Sequence, residues 1–192
     1  MTCIIAYVDK NGVGHMAGDS AGTAVSYHHR SDNVHPKIFK NGDMIIGYTS
    51  SFRMGQLLEH VFVPPSKSEG LTDYQYMIKQ VVPEIRKTFV SGNFMKEDSK
   101  DGGSYLIIYN KKLYSIQEDF AVFERPSNFD SCGSGYVSSN VAFETMQEFN
   151  VVDQIGPKAA LIKAIEITSR NNITVSGRID YINTLGETGS NA

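Results

Sequence analysis

Two short turns that contain Asn-Gly constrain this chain more than any other feature. Asn11-Gly12 separates two apolar, β-branched runs at residues 2–8 and 13–17, and Asn41-Gly42 separates residues 37–40 from 44–49. Asn and Gly both tolerate positive φ, so each pair of runs reads as a β-hairpin. Gly18-Asp19-Ser20 closes the second strand, and the small, polar stretch 21–33 reads as a loop or an irregular hairpin.

Helical spacing follows. Met54, Leu57, Leu58, Val61 and Phe62 share one face, with Ser50 or Ser51 as N-cap and Pro64-Pro65 as the stop. Tyr74, Met77, Ile78, Val81, Ile85 and Phe89 form a second stripe, capped by Thr72 or Asp73, in which Pro83 predicts a kink. After the polar connector 92–103, strands return at 104–109 and 113–117, with a weaker one at 121–123. A helix is expected around Val141, Ala142, Met146 and Phe149. Another starts at Pro157 with Leu161, Ala164, Ile165 and Thr168 on one face, and a last strand covers 179–185. Strands and helices come in blocks, not in βαβ alternation. That order predicts an α+β fold with layered antiparallel sheets.

A chain of 192 residues fits one domain, 1–192, with the small, polar tail 186–192 expected to be disordered. Its 18 basic and 21 acidic residues give a net charge of −3, which argues against a nucleic-acid coat. No apolar run reaches the ~18 residues of a membrane span. No basic segment followed by an apolar one opens the sequence, so no secretory signal is expected and a cytoplasmic location follows. Cys3 and Cys132 make neither a disulfide framework nor a zinc set. The five histidines show no HExxH spacing, and His28-His29 with Asp32 is weak as a metal site. No metal and no cofactor are expected.

Several residues acquire meaning only together. Thr2 follows Met1 directly, and its small side chain permits Met1 removal. Its hydroxyl could then be a nucleophile and its own amine the base, because an α-amine titrates at about 7.7–8.0. Taken alone, Met-Thr is an ordinary start. Asp19 ends the second strand of a hairpin, which returns to the start of the first, so topology brings it beside Thr2. A turn aspartate capping local backbone is the bland alternative. Lys37 opens the next strand; alone it is a solvated lysine, but beside a carboxylate and a hydroxyl it would lower the hydroxyl's pKa. Residues 47–52 join a strand to a helix whose first N–H groups could form an oxyanion hole, or simply a Ser-capped start. Gly133-Ser134-Gly135 also precedes a helix. It matches neither a Walker loop nor a full dinucleotide fingerprint, and close packing is its bland reading.

The ordered set Thr2-Cys3-Ile4-Ile5, Gly18-Asp19-Ser20, Lys37-Ile38, residues 47–51 and Gly133-Ser134-Gly135 resembles proteasome β subunits and HslV-type peptidases, which are N-terminal nucleophile (Ntn) hydrolases. The resemblance runs from Thr2 to about Ser176. It implies a four-layer αββα sandwich and a threonine-type peptidase acting on peptides or unfolded protein. Thr2 matches the nucleophile, Asp19 and Lys37 its partners, Ser51 the backbone oxyanion donor, and Ser134 a serine that assists the amine. It further implies a homo-oligomeric ring and an ATPase unfoldase as partner, with Met1 alone to be removed.

Three departures stand out. The Thr2-to-Asp19 spacing is one residue longer than the family's usual pattern, so an ungapped reading makes Cys3 the nucleophile. Ser51 stands where glycine is usual. In Arg170-Asn171-Asn172-Ile173-Thr174-Val175-Ser176-Gly177, asparagines stand where proteasomes supply an aspartate near the amine. Two alternatives therefore accompany the peptidase reading: a catalytically silent, proteasome-like scaffold, and a Cys3-dependent amidase.

Overall fold

Both Asn-Gly hairpins form, each with a strand turning back on its neighbour. The computed structural model describes residues 2–24, 29–99 and 101–191. Strand β1 (Ile4–Val8) pairs with β2 (Gly14–Asp19), and β5 (Ile38–Asn41) pairs with β6 (Met44–Tyr48). The glycines alone take positive φ, Gly12 at 79° and Gly42 at 59°; Asn11 and Asn41 do not. Between the hairpins, the stretch expected to be irregular carries β3 (Ala21–Ala24) paired with β4 (His29–Asp32).

Two five-stranded antiparallel sheets result. The first has the order β10-β1-β2-β11-β12 and the second β5-β6-β7-β8-β9. Here β7 is Tyr105–Tyr109, β8 Lys112–Ile116, β9 Val122–Glu124, β10 Phe129–Cys132, β11 Ile179–Asn183 and β12 Thr188–Ser190. Asn110 and Lys111, both at positive φ, make the tight β7–β8 turn. The tail expected to be disordered instead adds β12 to the edge of the first sheet, with Ile182 opposite Thr188 and Asp180 opposite Ser190.

Alternation along the strands sorts the apolar side chains into clusters. Ile4, Ala6 and Met16 of the first sheet join Ile38, Ile45, Leu106 and Ile108 of the second. Their odd-numbered neighbours Cys3, Ile5 and Ala17 join Phe143, Leu161 and Ile165 from helices α4 (Tyr136–Glu148) and α6 (Pro157–Asn171). Ile46, Tyr48, Tyr105 and Ile107 join residues from α1 (Phe52–His60), α2 (Asp73–Tyr76), a π-helical turn (Met77–Val81) and α3 (Val82–Ser91). Strands buried on both faces explain why β1 and β6 are continuous apolar runs. Each fully buried Ile or Leu contributes about 1.5–3 kcal/mol. At the close approach of the two sheets, a Cβ on Gly47 would lie 2.5 Å from Met16 Sδ and 2.6 Å from Ile4 Cγ2, so a larger residue there would force the two sheets' side chains to shift.

Helix details differ from the sequence reading in three places. Pro83 produces no sharp break. The chain widens into the π-helical turn just before it, where Val82 N–H reaches Met77 O, and continues as α3. In α4 the buried face is Ser139, Phe143 and Met146, while Val141 is 58% and Phe149 70% exposed. A short helix, α5 (Val151–Ile155), precedes α6 and was not read from the sequence.

Candidate active site

Antiparallel register delivers Asp19 to the start of β1. Ile4 pairs with Gly18, Asp19 N–H donates to Cys3 O at 3.1 Å, and Cys3 N–H donates back to Asp19 Oδ1 at 2.9 Å. Ser176 N–H donates to Asp19 Oδ2 at 3.3 Å, so the carboxylate is tied to two chain segments before any cation is considered.

Lys37 sits one residue before β5, whose Ile38 is packed against the first sheet. That anchor aims the lysine across the gap. Its Nζ donates to Thr2 Oγ1 at 2.9 Å, to Asp19 Oδ1 at 3.1 Å and to Ala21 O at 2.6 Å. An ammonium has three N–H donors, and all three are used here. Thr2, Asp19 and Lys37 are 3%, 0% and 2% exposed, so the three side chains meet out of bulk water. Burial pushes the Asp19 carboxyl up, opposed by the Lys37 charge. It pulls the Lys37 ammonium down, opposed by Asp19. A lysine so placed can stabilise an alkoxide at Thr2 and can part with a proton more readily than a surface lysine.

Cys3, the rival nucleophile, is fully buried, and burial above all pushes its thiol up to about 12. A thiol in that state holds its proton and lacks access. Cys132 is also buried and pushed upward by burial.

Because Met1 precedes it, Thr2 N is a peptide nitrogen here and stands in for the amine that Met1 removal would expose. Its N–H donates to Ser134 Oγ at 3.3 Å. Ser134 Oγ lies 2.7 Å from Thr174 Oγ1, which donates to Asn172 Oδ1 at 2.6 Å. Neither Thr174 nor this use of Asn172 was read from the sequence; only the similarity of residues 170–177 to an amine-tuning segment pointed there. Gly133 adopts φ 93°, and a Cβ on it would lie 2.2 Å from Thr2 O. Only glycine lets the loop lie against the Thr2 backbone.

The strand-to-helix turn differs from expectation by one residue. Ser51 caps α1 through its side chain, but its N–H turns back to Thr49 O at 2.8 Å and is occupied. Ser50 stands at φ 68°, a left-handed conformation unusual outside glycine, and its N–H has no acceptor among the described residues. Ser50 and Thr2 together line both cavities at the site. One is a pinhole of about 20 Å³ toward Gly22 and Phe52; the other is a cleft of about 630 Å³ toward Ser134. The larger cleft is walled by hydroxyls and amides, Ser104, Ser115, Gln117 and Ser131 among them, and by the Arg125–Asp130 ion pair at 2.8 Å.

Among the described residues no three His, Cys, Asp or Glu side chains gather to hold a metal, and His28 lies outside those residues. Among the described residues no helix is long and apolar enough to cross a membrane.

Comparison with protein-family models and with curated proteins gives no match. Solved structures do match in fold. Thiobacillus denitrificans BPH superimposes with a TM-score of 0.73 at 16% identity, covering 95% of this chain and 97% of the other. Eukaryotic HslV from Trypanosoma brucei gives 0.65 at 15% identity over 95% and 98%. The Anbu complex of Pseudomonas aeruginosa, described as a helical assembly, gives 0.62 at 13% identity over 99% and 85%. At these identities the likeness establishes a shared fold.

Proposed function

We propose that this chain is a proteasome-like threonine hydrolase of peptides or unfolded protein, with Thr2 as nucleophile once Met1 is removed. The observation that carries the reading is the contact of Thr2 Oγ1 with Lys37 Nζ at 2.9 Å, the lysine itself held by Asp19 at 3.1 Å. The fold shared with HslV and the three apolar clusters support the four-layer αββα order.

In this reading Thr2 Oγ1 attacks a peptide carbonyl, and its proton passes to the Thr2 amine. The tetrahedral oxyanion meets the Ser50 N–H, a donor worth on the order of 10²–10³ in rate. The C–N bond breaks as the amine returns its proton to the leaving nitrogen. An ester on Thr2 remains, and water, deprotonated by the same amine, releases it. The larger cleft has room for several residues of an extended chain. Exposed Tyr136, Val137, Val141 and Phe149 on and beside α4 give a surface for assembly, which supports a homo-oligomer larger than a dimer. A cytoplasmic location, a ring, and an ATPase unfoldase as partner belong to the same proposal.

The test is hydrolysis of unstructured fluorogenic peptides by Met1-free protein, compared with Thr2→Ala. Loss of turnover in the variant supports the reading, and turnover equal to wild type ends it. Silent-scaffold behaviour would show as Met1 retained on every chain in an intact-mass spectrum.

A further inference from the structure

The two cavities at Thr2 hold different halves of a substrate. In the proposed reaction the leaving nitrogen takes its proton from the Thr2 nitrogen, which faces Ser134 Oγ at 3.3 Å. Ser134 lines the cleft of about 630 Å³ and Lys37 does not; Lys37 lines the pinhole of about 20 Å³ and Ser134 does not. The leaving half therefore departs through the cleft. On the tetrahedral carbon, Thr2 Oγ1, the oxyanion at Ser50 N–H and the leaving nitrogen then have their places. The acyl Cα takes the direction that remains, and its side chain meets the pinhole.

Phe52 closes that pinhole. It is the first residue of α1, so the helix start fixes its Cα. Its ring lies against Gly22, where a Cβ would come within 2.6 Å of Phe52 Cε2, and Lys37 Nζ stands 6.0 Å from the ring centroid, at cation–π range. Phe52 and the buried Tyr48 also line a separate cavity of about 280 Å³, together with His35, Arg53 and Glu59. The two aromatic side chains are thus the wall that the pinhole and this cavity share. A space of about 20 Å³ holds about one water molecule, so a methyl group fits and an isobutyl or benzyl group does not.

We infer that Phe52 is the specificity-determining residue on the acyl side, restricting this chain to peptides with glycine or alanine before the scissile bond. This rests on the reading of Thr2 as nucleophile. The leaving side carries no such limit: its cleft is wide and walled by hydroxyls and amides, which suits larger, hydrophilic residues after that bond.

The test uses the full, Met1-free chain and internally quenched peptides that differ only in the residue before the scissile bond, with the cleavage point mapped by mass spectrometry. Alanine should be preferred to leucine by about 100-fold or more in kcat/KM. Phe52→Ala, which joins the two cavities, should cut that ratio to about tenfold or less. Phe52→Leu, which keeps an apolar side chain at the start of α1, should narrow it too and serves if Phe52→Ala does not fold. Equal cleavage after alanine and leucine in the wild type overturns the inference, as does an unchanged ratio in the Phe52 variants. A second readout needs no turnover: acyl-side product peptides ending in alanine or leucine are titrated against the chain while the Phe52 ring signals are followed by NMR. The alanine peptide should bind about tenfold tighter and shift those signals. That result without hydrolysis would uphold the role of Phe52 and sink the peptidase reading. Hydrolysis after leucine as fast as after alanine would do the reverse, and equal binding with no hydrolysis would sink both.

Discussion

Replacing Asp19 with asparagine strands a buried cation. Lys37 is 2% exposed and keeps Thr2 Oγ1 and Ala21 O as partners, but it loses the carboxylate that is ion-paired with it at 3.1 Å. Removing one member of such a pair costs about 3–5 kcal/mol, against a total stability of about 5–15 kcal/mol. At about 2–4 °C per kcal/mol, Tm should fall by roughly 6–20 °C. Urea unfolding should show a lower midpoint at unchanged slope. The pH dependence has a defined sign. Burial already pulls the Lys37 ammonium down, and without Asp19 to oppose it the folded-state pKa falls further below its unfolded value. The deficit is therefore full below the folded-state pKa of Lys37 and fades as pH rises from there to the lysine's ordinary range. Asp19→Asn with Lys37→Met should recover part of the lost stability, because the stranded charge is gone. A loss under about 1 kcal/mol for Asp19→Asn, or strict additivity in the double variant, would refute the reasoning.

Four further outcomes follow from the geometry. Gly133→Ala, which forces a Cβ to within 2.2 Å of Thr2 O at φ 93°, should destabilise by about 2 kcal/mol or more and abolish turnover, as read by thermal melting and peptide hydrolysis. Ser50→Gly should raise stability by about 1 kcal/mol, since φ 68° suits glycine, and should keep kcat, because the donor is backbone. Cys3→Ser should leave hydrolysis nearly intact, whereas Lys37→Ala should lose about 10³-fold or more, without additivity when combined with Thr2→Ala.

How far the site could be read from sequence depended on whether backbone rules placed each residue. A hairpin returns its end to its start, so Asp19 beside Thr2 was legible once Asn11-Gly12 was seen. Lys37 was legible as the residue that opens the strand before Asn41-Gly42, and only the family resemblance gave it a role. Residues 50 and 51 were not separable, because both are serines and only the turn's hydrogen bond to Thr49 O shows which N–H is spent. The Ser134–Thr174–Asn172 chain spans distant segments through three side-chain contacts, and no local pattern encodes that. In and just after α4, apolar residues stand on both faces, so Val141 and Phe149 were grouped with Met146, whereas Phe143 is the aromatic residue buried there. The tail resembled a frayed end by composition, yet β11 left an open edge for it to pair with.

The most direct measurement of the central claim is the covalent intermediate. Met1-free protein, mixed with an activated peptide ester and quenched in acid during turnover, is analysed by intact mass and then by fragmentation. The account predicts one acyl group per chain, located on Thr2 and missing from Thr2→Ala and from Lys37→Ala. An acyl group on Cys3, or hydrolysis with no adduct on Thr2 at any quench time, would contradict it.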